Sequence, residues 1–394
     1  MAGLRLVLAA AALLVLGIAT WWLSRPPPPA LPAMLRLSPI PFASLPDWRL
    51  DAAVEALSAF KRSCARLATR PPARPLGGQL DLRAGDWAEA CAAAPAAGTT
   101  AAHEFFERHF QLFATAGSGL VTGYYEPLLA GSRRAGGAAT VPLHHPPPDL
   151  VTVDLGKFRE AWRGERIAGR VEQGHLLPYA TREEIAAGAL AGRGLELLYV
   201  EDPIDAFFLH IQGSGRVRLP EGGEVAVGYA AQNGHAYFAI GRELVRRGAL
   251  RLEAVSLQSI HAWLKANPTE AAAVMNLNRS YVFFRELTGE RPLGAEGSQL
   301  TPGRSLAVDP KFVPYGLPVY LDSSLPATDT AAGRPYRRLL IAQDTGGAIR
   351  GPLRGDVFFG AGPEAEALAG RMKQQGRWFL LLPKPAAARL LPLK

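Results

Sequence analysis

Asp344-Thr345-Gly346-Gly347-Ala348-Ile349-Arg350-Gly351-Pro352-Leu353-Arg354-Gly355-Asp356-Val357-Phe358-Phe359-Gly360 is the stretch on which the reading of this chain turns. Two aspartates flank a glycine-rich turn, and the second opens a run of Val and Phe. An apolar strand is a costly place for a carboxylate, because burial disfavours the charged form and raises its pKa unless a partner offsets it. A fold that accepts this cost makes a group able to donate a proton near neutral pH.

Upstream, Ser305-Leu306-Ala307-Val308-Asp309-Pro310-Lys311-Phe312-Val313-Pro314-Tyr315-Gly316-Leu317-Pro318-Val319-Tyr320-Leu321 reads as a strand, a proline-bounded turn and a second strand. Leu339-Leu340-Ile341-Ala342 is a short buried strand that leads into Asp344. Three aspartates, Asp309, Asp344 and Asp356, therefore sit at three strand edges. Downstream, residues 362–372 form a proline-started helix, and Arg377-Trp378-Phe379-Leu380-Leu381-Leu382 a last buried strand.

With 394 residues, 48% of them hydrophobic, the chain can bury a core for one or two domains. Its net charge of +8 suits a polyanion, but the arginines are spread along the chain without a basic block. Zinc-finger spacing, an RNA-binding aromatic signature and a P-loop are all missing from the sequence, so nucleic acid is not an expected partner. The two cysteines, Cys64 and Cys91, lie in helical patterns with neither CxxC spacing nor a His neighbour. They read as one bridge in an oxidising compartment or as two buried thiols, and a metal or redox role is not expected.

Residues Leu6 to Leu23 are uncharged and nearly all apolar, with Trp21-Trp22 and Arg25 behind them. This run is long enough for an uncleaved membrane anchor, and the rival reading is a signal peptide cut near Ala19. No cysteine follows it, so no lipid acceptor is in place. Either way the body is expected outside the cytoplasm. A proline-rich linker is expected over 26–44, and helices over 47–115, with Phe105, Phe106, Phe110 and Phe113 as packing residues at helical spacing.

After residue 119 the pattern turns to strands. Val121 to Pro127 carries Tyr124, Tyr125 and Glu126, aromatic faces and polar ends of the kind that suit a sugar. In residues 200–219, Phe208, His210, Gln212 and Ser214 share one parity, which predicts a strand with a polar face. Gln232 and Asn233 stand before a helix near 238–246, where they either cap it or donate to a ligand. Helices are expected at 257–267 and 270–275, and a strand from Asn278 to Arg285 that returns the chain to the barrel.

Eliminating chemistries leaves the carboxylates. Gln212-Gly213-Ser214-Gly215-Arg216 lacks the nucleophile-elbow spacing of a serine hydrolase, and the eight histidines are scattered or adjacent in a loop. Glycosidases usually set two carboxyl groups on opposite sides of the scissile bond. Asp344 and Asp356, on nearby segments of one sheet, are expected on the same side, where the like charge raises the pKa of one partner, leaving one acid protonated near neutrality and the other orienting it. One acid is enough when the substrate brings its own nucleophile.

This combination resembles the three-aspartate domain of bacterial cell-wall enzymes and, from about residue 45 to 385, the membrane-bound lytic murein transglycosylase A family. The resemblance is carried by Gly123 to Pro127, Gln212 to Gly215, Gln232 to Tyr237, and Asp344 to Asp356. It implies a mainly β fold with helices, in which a double-psi β-barrel domain (45–125 and 271–385) holds a smaller inserted β-barrel domain (126–270), behind an anchor or signal segment (1–25). It implies a lyase, of the exotransglycosylase type, that cuts the β-1,4 bond between N-acetylmuramic acid and N-acetylglucosamine without water and leaves 1,6-anhydro ends. By motif position Asp356 matches the acid/base, Asp344 the residue that hydrogen-bonds and holds it, and Asp309 a support that ties down a loop. Tyr124, Tyr125, Gln212, Ser214 and Gln232 are expected to line a glycan groove between the domains. No cofactor or metal is expected. The implied partners are peptidoglycan strands, the membrane through the N-terminal segment and a wall-synthesis complex, with the enzyme itself a monomer in the periplasm. The alternatives are a hydrolytic muramidase with Asp344 as base, and a wall-binding protein without activity.

Overall fold

The computed structural model describes residues 34–98, 101–162, 165–288, 292–328 and 331–390. The expected anchor or signal segment lies outside them, and among the described residues no helix is long and apolar enough to cross a membrane. The linker expected to reach residue 44 is shorter. Leu37–Pro39 form strand β1, and Leu35, Leu37, Ile40 and Phe42 pack on the main core.

Helix α1 (Ala53–Leu67) buries Ala56, Leu57, Phe60, Cys64 and Leu67 at three- and four-residue steps, with Glu55 in its first turn and Arg66 in its last. Cys64 forms a disulfide with Cys91 of the short helix α2 (Ala88–Ala93), which resolves the two readings of the cysteines. Helix α3 (Ala102–His109) stops four residues earlier than the aromatic spacing predicts. Phe110 and Phe113 instead begin strand β2 (Phe110–Glu126), because this stretch gains a ladder with the chain's last strand that local periodicity does not reveal.

β2 is the spine of the larger sheet. Its other members are β12 (Ser305–Val308), β13 (Pro318–Leu325), β14 (Arg334–Asp344), β15 (Gly355–Ala361) and β16 (Lys373–Pro383). The order β2-β15-β12-β14-β13-β16 closes where β16 pairs back to β2, giving a six-stranded barrel with β1 added at the side. The β2–β15 and β12–β14 pairs are parallel and the others antiparallel. Arg304, fully buried before β12, locks α1 to this barrel. Its guanidinium donates to Asp51, Glu55, the Ala52 carbonyl and the Leu339 carbonyl, so the buried charge is paired and hydrogen-bonded.

Between β2 and β12 the chain builds a second sheet from β3 (Leu128–Ser132), β4 (Val141–His144), β8 (Glu196–Val200), β9 (Ser214–Arg218), β10 (Glu224–Gln232) and β11 (Val282–Glu286). Its order is β11-β10-β9-β3-β8-β4. The end strands β4 and β11 approach each other, and His144 Nδ1 lies 2.7 Å from the Tyr281 hydroxyl across the seam. A hairpin sheet of β5 (Val151–Asp154), β6 (Arg166–Glu172) and β7 (His175–Pro178) completes this region.

Two expectations are corrected here. β11, assigned by sequence to the larger barrel, pairs with β10, so the inserted region extends past residue 270. Residues 203–212 form helix α4 (Pro203–Gln212) rather than a strand. Asp202 caps it by accepting from the Ile204 amide, Pro203 opens it, and Gly213 closes it at φ +78°. These end signals outweigh the apparent alternation, since Phe207, Phe208 and Leu209 are all buried, a pattern no half-buried strand shows.

Candidate active site

Asp356 is the second residue of β15, and Asp344 is the last of β14. They are not strand neighbours. Ala307 of β12 pairs with Asp344 on one side and with Asp356 on the other, so the two aspartates flank a single alanine on one face of the barrel wall. Two strand spacings put their backbones about 10 Å apart. Each carboxylate has its own set of donors.

Both oxygens of Asp344 are committed. Oδ1 accepts from the backbone amides of Ala295 (2.8 Å) and Thr345 (2.9 Å), and Oδ2 from the Tyr124 hydroxyl (2.8 Å). Burial pushes this carboxyl up to about 6 against the pull of those three donors, and the Asp356 charge adds to the rise. Asp356 accepts one bond, at Oδ1 from the Arg354 guanidinium (2.7 Å). Its Oδ2 takes none from the described residues, and its side chain keeps 20% of its surface open. Burial raises its pKa as well, opposed by the Arg354 charge. The site therefore holds one carboxylate with three donors and one with a single donor and an oxygen that takes no bond from the described residues.

Asp309 is buried just after β12, and its Oδ2 accepts from the Gly351 amide (2.8 Å) while Oδ1 accepts from the Lys311 amide (3.1 Å). It thereby holds the loop joining β14 to β15, which Thr345 also ties by donating to the Val308 carbonyl.

Tyr124 and Tyr125 are both buried, so neither ring offers a face to a sugar in this conformation. Tyr124 packs with Leu300, Ala307, Ile349 and Phe358 and spends its hydroxyl on Asp344. Tyr125 packs under helix α5 (Pro363–Arg371), against Ala365 and Ala369, and its amide donates to Gln212 Oε1 (3.0 Å). Gln212 thus joins α4 to the spine strand while remaining partly exposed. Ser214 is buried at the start of β9, opposite Gly228, and Gln232 ends β10 opposite Val282, partly exposed. Asn233 is structural: it donates to the Ala180 and Arg279 carbonyls and accepts from the Tyr281 amide.

Three further groups belong to the site. Arg354 stands two residues before Asp356, just ahead of β15, and its guanidinium donates to that carboxylate. Tyr237, from the segment after β10, lies beside Gly347, and the Asp356 charge adds to the burial that raises its hydroxyl's pKa. The Ala295 amide had no sequence signal. From the inserted region, Glu165 also pairs with Lys311, beside the Asp309 turn.

A closed barrel carrying three aspartates at its strand ends, with a second sheet built into the chain between its strands, defines the class: a three-aspartate barrel with an insert. Comparison with known proteins agrees. The family model described as "MltA specific insert domain" matches residues 120–285, and the "3D domain" model matches residues 304–382. The chain is 34% identical to the crystal structure of a membrane-bound lytic murein transglycosylase from Agrobacterium tumefaciens, covering 90% of this chain and 99% of that one with a TM-score of 0.81. It belongs to the membrane-bound lytic murein transglycosylase A family. A Vibrio cholerae relative of that name is 40% identical over 202 residues, 50% of this chain and only 54% of the relative's length. The structure of E. coli MltA with bound chitohexaose matches at 25% identity and a TM-score of 0.62, over 90% of this chain and 95% of that one.

Proposed function

We propose that this protein is a lytic transglycosylase of peptidoglycan, cleaving the β-1,4 bond between N-acetylmuramic acid and N-acetylglucosamine without water, with Asp356 as its single acid/base. The Oδ2 of Asp356, which takes no bond from the described residues on a side chain with 20% of its surface open, beside an Asp344 held by three donors, carries this reading. Protonated Asp356 gives its proton to the bridging oxygen as the bond from muramyl C1 breaks. The C6 hydroxyl oxygen of the same sugar then closes on C1, and its proton returns to Asp356. No water enters, and the acid is regenerated.

Asp344 serves this cycle by its charge. An anion held on the same wall face stabilises the positive charge that develops on the ring. A hydrolytic mechanism would need Asp344 to activate water with the one acceptor position its three bonds leave on Oδ2. Gln212 and Gln232, both partly exposed residues, are the side chains we assign to glycan contact. The chitohexaose complex of the E. coli relative supports a β-1,4-linked glycan as the ligand class. The Cys64–Cys91 disulfide fits an exported enzyme, since such bonds persist in oxidising compartments.

Mass spectrometry of a digested sacculus tests the reaction, because anhydro ends lack one water relative to reducing ends. Asp356→Asn should abolish product formation and leave glycan binding in place. Reducing ends from the wild type would replace this reading with hydrolysis, and no product from a wild type that binds glycan would replace it with a binding protein.

A further inference from the structure

The two carboxylates share a face only because β14 contains one residue too many. Along the parallel β12–β14 pair, Ser305 lies opposite Ile341 and Leu306 opposite Ala342. Regular continuation would set Ala307 against Gln343, yet Ala307 lies opposite Asp344, so Gln343 is the extra residue of a β-bulge. Side chains alternate along a strand, so a shift of one residue decides which face a side chain takes. Without the bulge Asp344 would fall in register with Val308, on the face away from Asp356.

The bulge is held from every side. The Gln343 side chain is fully buried; its Nε2 donates to the Ala59 carbonyl (3.0 Å) and to Ser63 Oγ (2.9 Å) of α1, and its Oε1 accepts from Ser305 Oγ (2.6 Å). Ser63 in turn donates to Glu296, which also accepts from Ser298. The segment carrying Glu296 closes the circuit. The Glu296 amide donates to the Gln343 carbonyl, Gly294 approaches so closely that a Cβ there would lie 2.3 Å from that carbonyl oxygen, and the amide between them, on Ala295, donates to Asp344 itself.

We propose that Gln343, backed by Ser63 and Glu296, is a positioning residue for the reaction: it pins the bulge that turns Asp344 onto the face of Asp356 and seats it under the Ala295 amide. The inference rests on the reaction proposed above, and it assigns a catalytic consequence to a network that touches no substrate. Gln343→Leu keeps the bulk and removes all three side-chain bonds.

The groups facing the carboxylate pair are Arg354 just before β15, Tyr124 on β2, Tyr237 after β10 and Tyr315 between β12 and β13. None of them is altered by the substitution, so a changed titration reports the relation of Asp344 to Asp356. If Gln343→Leu lets Asp344 leave its seat, the repulsion between the two carboxylates weakens and the upper apparent pKa of the pair falls. The basic limb of the kcat/KM profile then moves to lower pH by about one pH unit, the low end of what a close charge does. We expect kcat to fall roughly 100-fold, the scale of a 1 Å misplacement, with KM nearly unchanged.

Asp344→Asn should shift the same limb in the same direction, and the double variant Gln343→Leu/Asp344→Asn should be no slower than the slower single variant. Ser63→Ala, which removes one link only, should show a smaller shift and covers the case in which Gln343→Leu does not fold. An unchanged pH profile in folded Gln343→Leu or Ser63→Ala, or rate losses that simply multiply in the double variant, overturns the positioning role. If Asp344→Asn itself leaves rate and profile unchanged, it is the proposed reaction that fails.

Discussion

Replacing Asp344 with asparagine should stabilise the protein at pH 8 while removing most of its activity. The carboxyl stands at about 6 in the folded chain against an ordinary 3.8, and burial is the main cause. A group whose pKa rises on folding binds more protons in the folded state, so stability falls as pH climbs through the window between those two values. Below about pH 4 the carboxyl is protonated in both states and costs nothing extra; above about pH 6 the full penalty applies, about 3 kcal/mol for a displacement of this size. Asparagine carries no charge and keeps an oxygen for the Ala295 and Thr345 amides, but loses the bond from Tyr124, a loss of about 1 kcal/mol. The variant should therefore be more stable than wild type by about 2 kcal/mol at pH 8, with the advantage gone at pH 4. Urea unfolding of both proteins across this pH range, with the disulfide intact, measures the difference directly. Equal stability at pH 8, or a difference that does not change with pH, would refute the claim that burial holds this carboxyl up.

Tyr124→Phe removes a donor that favours ionised Asp344, so the Asp344 pKa should rise above about 6. The acidic limb of the kcat profile then moves to higher pH, with roughly a tenfold loss at pH 6 and a smaller one at pH 8. Cys64→Ser opens a loop spanning 27 residues and should cost about 3 kcal/mol in urea unfolding, matched by wild type under reducing conditions. Arg304→Met leaves Asp51 buried without its cation and should destabilise by about 3 to 5 kcal/mol, read as a fall in the urea midpoint with the slope unchanged.

Much of the barrel was legible because its signals are local. Leu339 to Ala342 and Arg377 to Leu382 are short apolar runs, and Pro363 opens α5 as a proline at a first helical turn does. The misreadings came where two local rules disagreed or a distant partner decided. Residues 203–212 alternate well enough for a strand, but the Asp202 cap and the Gly213 stop were the stronger terms. Phe110 to Phe113 keep helical spacing and still leave the helix, because β16 offers them a ladder. The same holds for β11, whose composition says strand but whose partner, β10, lies 50 residues upstream.

Sequence alone picked out the candidate residues: carboxylates at strand edges, since burial beside Val357 and Phe358 makes an aspartate a candidate acid, and a loop rich in glycine between them. Which face those carboxylates take was decided by tertiary structure alone. The bulge at Gln343, the single alanine between the two aspartates and the Ala295 amide beneath one of them each depend on pairing between segments distant in sequence. Registers of that kind are set by packing and hydrogen-bond satisfaction across the whole barrel, which no local pattern records.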